Sequence, residues 1–402
     1  MDTVVLREDM ARAAALLREG ALVAVPTETV YGLAGNGLDA RAVREIYEVK
    51  GRPEQKPLSL MVPGPEAIPL YCEDVPGAAT ALAERFWPGP LTLVLNAKMA
   101  VPDIVRAGGE TVGLRCPDHP LTLELLRLAE IPLAAPSANP SGAPSPVSAE
   151  EVLAYFEGKI AAVIDGGRCG LGRESTVLDM SRTPYRVLRE GALSRESIVR
   201  ALRERMLCIG ITGGSGSGKT TALEVLEERG ARVIDCDALY HRLLESDGEL
   251  LAEIDSRFPG TVRDGALDRK ALGAIVFSDP EALAALNRIT HRYILRALED
   301  SIDAWAMAGG ELVAIDAVEL IGSGLGDRCT VTIGVIAEEE RRIERIMARE
   351  GISREYALLR VRAQKPDAYF KENCDYVLEN NGDMESFVIQ CKKMMEEICE
   401  HG

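Results

Sequence analysis

The chain has 402 residues, more than one ordinary core requires, so two domains of roughly 100 to 200 residues each are expected. Its 47% hydrophobic and 27% charged residues fit globular protein rather than extended disorder, and the absence of any run of about eighteen apolar residues, with Asp2, Glu8 and Asp9 at the start, argues against a membrane span or a secretory leader and for the cytoplasm. The net charge of −17 is uneven, with 23 basic against 27 acidic residues up to Arg205 and 23 against 36 beyond it, which excludes a broad basic face for stable nucleic-acid binding in the second half.

In chain order, residues 11–18 carry helical spacing, and residues 21–25 read as a short buried strand ending at Pro26. The stretch that follows is punctuated by prolines from Pro53 to Pro146, which implies short elements and sharp turns in an α/β domain whose loops carry function. Residues 26–33 form a polar-aromatic loop directly after a buried strand, a common place for a site. Lys50-Gly51-Arg52-Pro53 sets two cations in a Gly/Pro frame able to bind phosphate, although such a pair alone is more often a solvated turn.

Residues 195–205 read as a charged helix, and residues 206–211 turn apolar, so the domain boundary is placed between 1–205 and 206–402. Strand, loop, helix and strand then recur, as in a parallel sheet covered by helices. Gly213-Gly214-Ser215-Gly216-Ser217-Gly218-Lys219-Thr220 satisfies G-x-x-x-x-G-K-[ST] between an apolar run and the helix-forming residues 222–229. Its backbone N–H groups can turn around the phosphates of ATP, Lys219 neutralises charge, and Thr220, followed by Thr221, offers oxygen to Mg²⁺ carried with ATP. Residues 233–237 read as a second strand ending in Asp235 and Asp237 on one face, where a carboxylate can orient an acceptor hydroxyl and take its proton. In a helix beginning near Glu338, Arg342, Arg345 and Arg349 share a face, with Arg349 the best candidate to stabilise a transferred phosphoryl group; the neighbouring glutamates allow a solvated, ion-paired helix instead.

ITGGSGSGKTT, VIDCDALYHRLL, LDRKALGAIVFSDPEALAALNRITH, the arginine-rich helix and DYVLENNG, in that order, resemble the dephospho-CoA kinase family over essentially all of 206–402. The resemblance implies a P-loop fold with a helical substrate and lid region, and 3′-phosphorylation of dephospho-CoA by ATP. Asp237 would be the catalytic acid that orients the ribose hydroxyl, and His291 with residues 267–272 would belong to the substrate region. Two departures fall on the acceptor side: His291-Arg292 stands where the family usually has His-Pro, and Gly322 stands where it has an acid.

In the first half, the loop at 26–33 and the Lys50–Arg52 pair are followed by WPGPLT, GLRCP, PSAN, ESTV and LREG, an order that resembles the YrdC family over about residues 5–200. The resemblance implies a twisted mixed sheet and synthesis of threonylcarbamoyl-AMP from L-threonine, bicarbonate and ATP, feeding tRNA threonylcarbamoyl transferase proteins. Lys50, Arg52, Arg115 and Arg189 would be the cations, Ser137, Asn139 and Ser175 the neutral hydrogen-bonding groups, and Thr27 the threonine contact. The histidine often found near Met61 in that family is missing, as is the extra C-terminal domain of its longer members. The rival readings are a nucleotide- or RNA-binding module in the first half, and a kinase for another small hydroxyl compound in the second.

Overall fold

A computed structural model describes residues 2–401, and the chain divides into two compact units. The first runs through Glu204 and includes Met307–Gly309; the second comprises Arg205–Ala306 and the chain from Gly310 onward.

In the first unit, β1 (Val4–Leu6), β2 (Val23–Val25), β3 (Gly32–Asn36), β4 (Ser59–Met61), β5 (Leu91–Asn96), β6 (Thr111–Arg115), β7 (Leu133–Ala134), β8 (Ala162–Ile164), β9 (Thr176–Asp179) and β10 (Arg186–Arg189) form one mixed sheet. Its order is β1-β8-β2-β3-β7-β4-β6-β5-β9-β10. The helix Met10–Arg18 is capped by Asp9, whose carboxylate accepts from the Arg12 N–H, and it buries Met10, Ala13, Ala14 and Leu17 at helical spacing. Those side chains meet Val23, Val25, Leu125 and Ile164 in one core cluster. Leu17, Val23 and Ile164 are fully buried, each burial worth roughly 1.5 to 3 kcal/mol.

The second unit is built on β11 (Leu207–Thr212), β12 (Arg232–Asp235), β15 (Leu312–Asp316), β16 (Val331–Ile336) and β17 (Tyr376–Glu379), all parallel in the order β12-β15-β11-β16-β17. A separate hairpin pairs β13 (Val262–Arg263) with β14 (Ala266–Leu267). Ile209, Ile211, Leu226, Ala314, Val335 and Phe387 fill the core around the sheet, while Leu250, Ile254, Phe258, Leu272 and Leu286 make a satellite core among the inserted helices. Because β11 has neighbours on both sides that lead away in opposite directions, the crevice beyond its carboxyl end is where an open α/β sheet takes a ligand. Among the described residues, no helix is long and apolar enough to cross a membrane.

One expected element differs. β12 stops at Asp235, whose side chain accepts from the Ala238 N–H at 2.9 Å and caps the helix Cys236–Ser246. Asp237 therefore lies in the first turn of that helix and not two residues along the strand, because a side-chain cap ends the ladder in favour of a helix.

Candidate active sites

In the second unit, the loop between β11 and the helix Lys219–Glu228 bends at residues with positive φ, Gly213 at 148° and Gly218 at 108°. A Cβ at Gly213 would lie 2.2 Å from the Val335 carbonyl oxygen and one at Gly218 would lie 2.1 Å from Asn380 Nδ2, so only glycine fits either place. The helix has no side-chain cap at its N-terminus, which leaves its first N–H groups to an anion. Lys219 donates to the Gly213 carbonyl at 3.0 Å and stands 4.0 Å from Asp316 Oδ1, at the end of β15. That oxygen is buried without a hydrogen-bond partner, and burial pushes the Asp316 carboxyl above its ordinary range, with Lys219 opposing and Asp235 and Asp237 adding to the rise. Asp316 was not singled out in the sequence, although the run Leu-Val-Ala-Ile-Asp carries its signature: an apolar strand ending in an acid.

Arg342, 4% exposed, donates through Nε to the Ser215 carbonyl at 3.0 Å, and Arg345 reaches the carbonyls of Gly216 and Ser217 at 3.2 and 3.4 Å. Asn380 donates to the Ser217 carbonyl at 2.9 Å and accepts from Arg345 at 3.1 Å. Arg349 does not join them. It lies one turn further along the helix Glu339–Glu350, about 6 Å by the helical rise, and its exposed guanidinium pairs with Glu350 at 2.6 Å. Thr220 is exposed in the first helical turn, and Thr221 contacts Met384 Sδ at 3.5 Å. Of the residues expected on the acceptor side, His291 Nε2 is buried without a partner, and Arg292 is an exposed cation paired with Glu253. A Cβ at Gly322 would meet the Glu319 carboxylate at 3.1 Å.

In the first unit, a cavity of about 500 Å³ lies over β4, β5, β6, β9 and β10 and is lined by Arg52, Arg115, Ser137, Ser175 and Arg189 among others. Ser59 and Met61, Thr92 and Val94, and Thr111, Gly113 and Arg115 reach it at every second position, as one face of a sheet must. Arg115, 7% exposed, donates to Glu28 Oε1 and Thr29 Oγ1, both at 2.8 Å, so its charge enters the cavity already paired with a carboxylate. Arg189 pairs with Glu174 and donates to the Ser175 carbonyl at 2.9 Å, while the Ser175 hydroxyl also meets Thr92 Oγ1 at 2.8 Å. Arg52 donates to the carbonyls of Lys56 and Pro57 at 3.2 and 3.0 Å.

Lys50, Asn139 and Thr27 do not line the cavity. The Lys50 ammonium, 3% exposed at the end of the helix Ala40–Lys50, donates to the carbonyls of Ser137 and Asn139, and burial, with Arg52 next in effect, holds its pKa down to about 8. Asn139 donates to the carbonyls of Pro140 and Ala143, while its buried Oδ1 has no partner. The Thr27 hydroxyl donates to the Val30 carbonyl at 2.6 Å and accepts from the N–H groups of Thr29 and Val30, so it is consumed within its own turn instead of facing a ligand. Glu28 and Glu174 lie in the 26–33 loop and the ESTV block, but their pairing with Arg115 and Arg189 leaves no local pattern in the sequence, and Gln55 and Lys56, which also line the cavity, have no motif of their own.

Residues 15–191 match the Sua5/YciO/YrdC family, described as Telomere recombination, and residues 207–386 match the CoaE family, Dephospho-CoA kinase. The chain is 49% identical over 192 residues to threonylcarbamoyl-AMP synthase of Pyrococcus abyssi, an alignment covering 48% of this chain and 56% of that protein. It is 38% identical over 192 residues to dephospho-CoA kinase of Thermus thermophilus, covering 48% of this chain and 92% of that protein. A Mycobacterium tuberculosis relative of the first half is 37% identical over 187 residues, 46% of this chain and 85% of its own length. The chain thus spans about half the length of the longer synthase it matches.

Proposed function

Because the chain belongs to the Sua5/YciO/YrdC family in its first half and to the dephospho-CoA kinase family in its second, we propose a bifunctional enzyme with catalytic domains at 1–205 and 206–402. The first makes threonylcarbamoyl-AMP and pyrophosphate from L-threonine, bicarbonate and ATP. The second transfers the γ-phosphoryl of ATP to the 3′-hydroxyl of dephospho-CoA. Both work in the cytoplasm, and the first delivers its product to threonylcarbamoyl transferase proteins acting on tRNA.

The observation that carries the synthase reading is the convergence of Arg52, Arg115 and Arg189 on one cavity. A carbamate oxygen on threonine attacks the α-phosphate and pyrophosphate leaves, so anionic charge must be held at both ends of the breaking bond. Arg52 and Arg189 serve the phosphates, and Arg115 with Ser137 and Ser175 serves the carboxylate and the nucleotide. Lys50 and Thr27 act behind the wall, one fixing the 137–139 backbone and the other the shape of the loop; Asn139 keeps a free oxygen for the same neighbourhood.

For the kinase, the carrying observation is the phosphate loop with Lys219 beside the unpartnered Asp316 oxygen. A buried hard oxygen opposite the loop fits Mg²⁺, with Thr220 as the second protein donor; among the described residues no three acidic, His or Cys groups form a ready-made cage, so ATP phosphate oxygens and water would supply the remaining ligands. When bound, that ion would neutralise charge on the β- and γ-phosphates. Asp237 orients the acceptor hydroxyl and takes its proton, Lys219 stabilises the transferred group, and Arg349 reaches it only by moving from Glu350. Mass spectrometry of products from ATP, with threonine and bicarbonate or with dephospho-CoA, tests the proposal. Absence of a mass for threonylcarbamoyl-AMP sinks the first half, and unphosphorylated dephospho-CoA sinks the second.

A further inference from the structure

Ser215, in the middle of the phosphate loop, has all three of its polar groups held from outside the loop. Its N–H donates to Gln364 Oε1 at 2.9 Å, its hydroxyl accepts from Gln364 Nε2 at 2.9 Å, and its carbonyl accepts from Arg342 Nε at 3.0 Å. Arg342 closes the ring by donating to Gln364 Oε1 at 2.6 Å. The orientation of the amide is fixed by these partners: the atom facing a backbone N–H and a guanidinium must be the acceptor, which leaves the nitrogen for the serine oxygen. A Cβ at Gly214 would lie 2.0 Å from Arg342 and 2.9 Å from Gln364 Oε1, so both groups lie directly on the loop backbone. Gln364 follows the helix Arg354–Arg362, which shares the small apolar core of Ile343, Ile346, Ala357 and Val361 with the arginine-bearing helix.

We infer that Gln364 is a positioning residue for the triphosphate of ATP, a role that rests on the kinase reading of this site. It clamps the peptide between Gly214 and Ser215, holds the entry limb of the loop in the form whose later N–H groups face the phosphates, and ties that form to the position of the two helices. The residue must be neutral, because the same place beside the loop lies next to anionic phosphate. Gln364→Met keeps the volume and removes both hydrogen bonds to Ser215 and the one from Arg342; Gln364→Glu keeps the acceptor and the arginine contact and adds charge.

The test uses the full chain. ATP binding is titrated calorimetrically, with the Lys219→Ala isotherm giving the contribution of the first unit's site, and KM for ATP is compared with KM for dephospho-CoA. Gln364→Met is expected to weaken ATP about tenfold while acceptor KM and melting temperature hold. Gln364→Glu should weaken ATP at least as much, more so at low ionic strength, and this variant decides the matter if the methionine form does not fold. ATP affinity within twofold of wild type in Gln364→Met, or in Gln364→Glu where that variant stands in, overturns the inference, as does an equal rise in both KM values. A wild-type chain that binds ATP at the loop but leaves dephospho-CoA untouched sinks only the acceptor assignment, and the ATP titration still decides Gln364.

Discussion

Lys50 sits in the first unit with its ammonium buried against two carbonyls. Its folded pKa of about 8 lies below the ordinary lysine value, so above pH 8 the folded chain gives up this proton while the unfolded chain keeps it until about 10.5. The unfolded state then binds more protons, and the contribution of Lys50 to stability rises with pH across that window. Comparison of wild type with Lys50→Met by urea unfolding should therefore show the lysine form gaining on the methionine form between pH 7 and 9.5, by on the order of 1 kcal/mol. A shift in the opposite direction would mean that the carbonyls outweigh burial. Burial disfavours the charge of Asp316 as it does that of Lys50, here by raising the carboxyl, and the proposed use for that charge lies in the phosphoryl transfer. Asp316→Asn should leave the second unit as stable as wild type or more so, while CoA formation falls roughly a hundredfold; unchanged turnover would remove the carboxylate from the site.

At the scale of elements, the start of the helix Cys236–Ser246 decides where Asp237 points. Asp235→Asn retains the cap and should unfold like wild type, whereas Asp235→Ala should lose about 1 kcal/mol and slow phosphoryl transfer by freeing the first turn. Equal stability of the two variants would show that the cap does not hold the turn. This junction also marks how far the sequence could be read. The strand, glycine loop and helix around Lys219 were legible because each has a local pattern, and the parallel sheet of the second unit follows from their recurrence. The end of β12 was not, since Val-Ile-Asp-Cys-Asp alternates well enough for a strand and only the carboxylate-to-Ala238 bond chooses the helix. In the first unit, short proline-bounded strands could be expected, but their ten-strand order depends on long-range pairing that no local pattern encodes. The same limit applies to the cavity: Arg52 stood out in its Gly/Pro frame and the YrdC resemblance implied Arg115 and Arg189, whereas the pairing of those two with Glu28 and Glu174 needed the fold.

For the whole molecule, the central question is whether the two nucleotide sites work independently. Each unit has its own sheet and its own apolar cluster, and the charged groups proposed for each reaction lie within a single unit. Lys219→Ala removes the cation proposed to face the phosphates of the second site, so CoA formation should fall at least a hundredfold, on the order of 3 kcal/mol in the barrier. Threonine- and bicarbonate-dependent pyrophosphate release in the same tube should stay within twofold of wild type, because no group of the first cavity is touched. Arg52→Lys is the reciprocal variant. A guanidinium that bonds two carbonyls at once and still offers N–H groups to phosphate cannot be replaced by an ammonium, so pyrophosphate release should fall by about the same factor while CoA formation holds. The pair of variants makes each activity the folding control for the other. If Lys219→Ala also silences pyrophosphate release, or Arg52→Lys also silences CoA formation, the two sites are coupled, and the description of the chain as two independent catalysts is wrong.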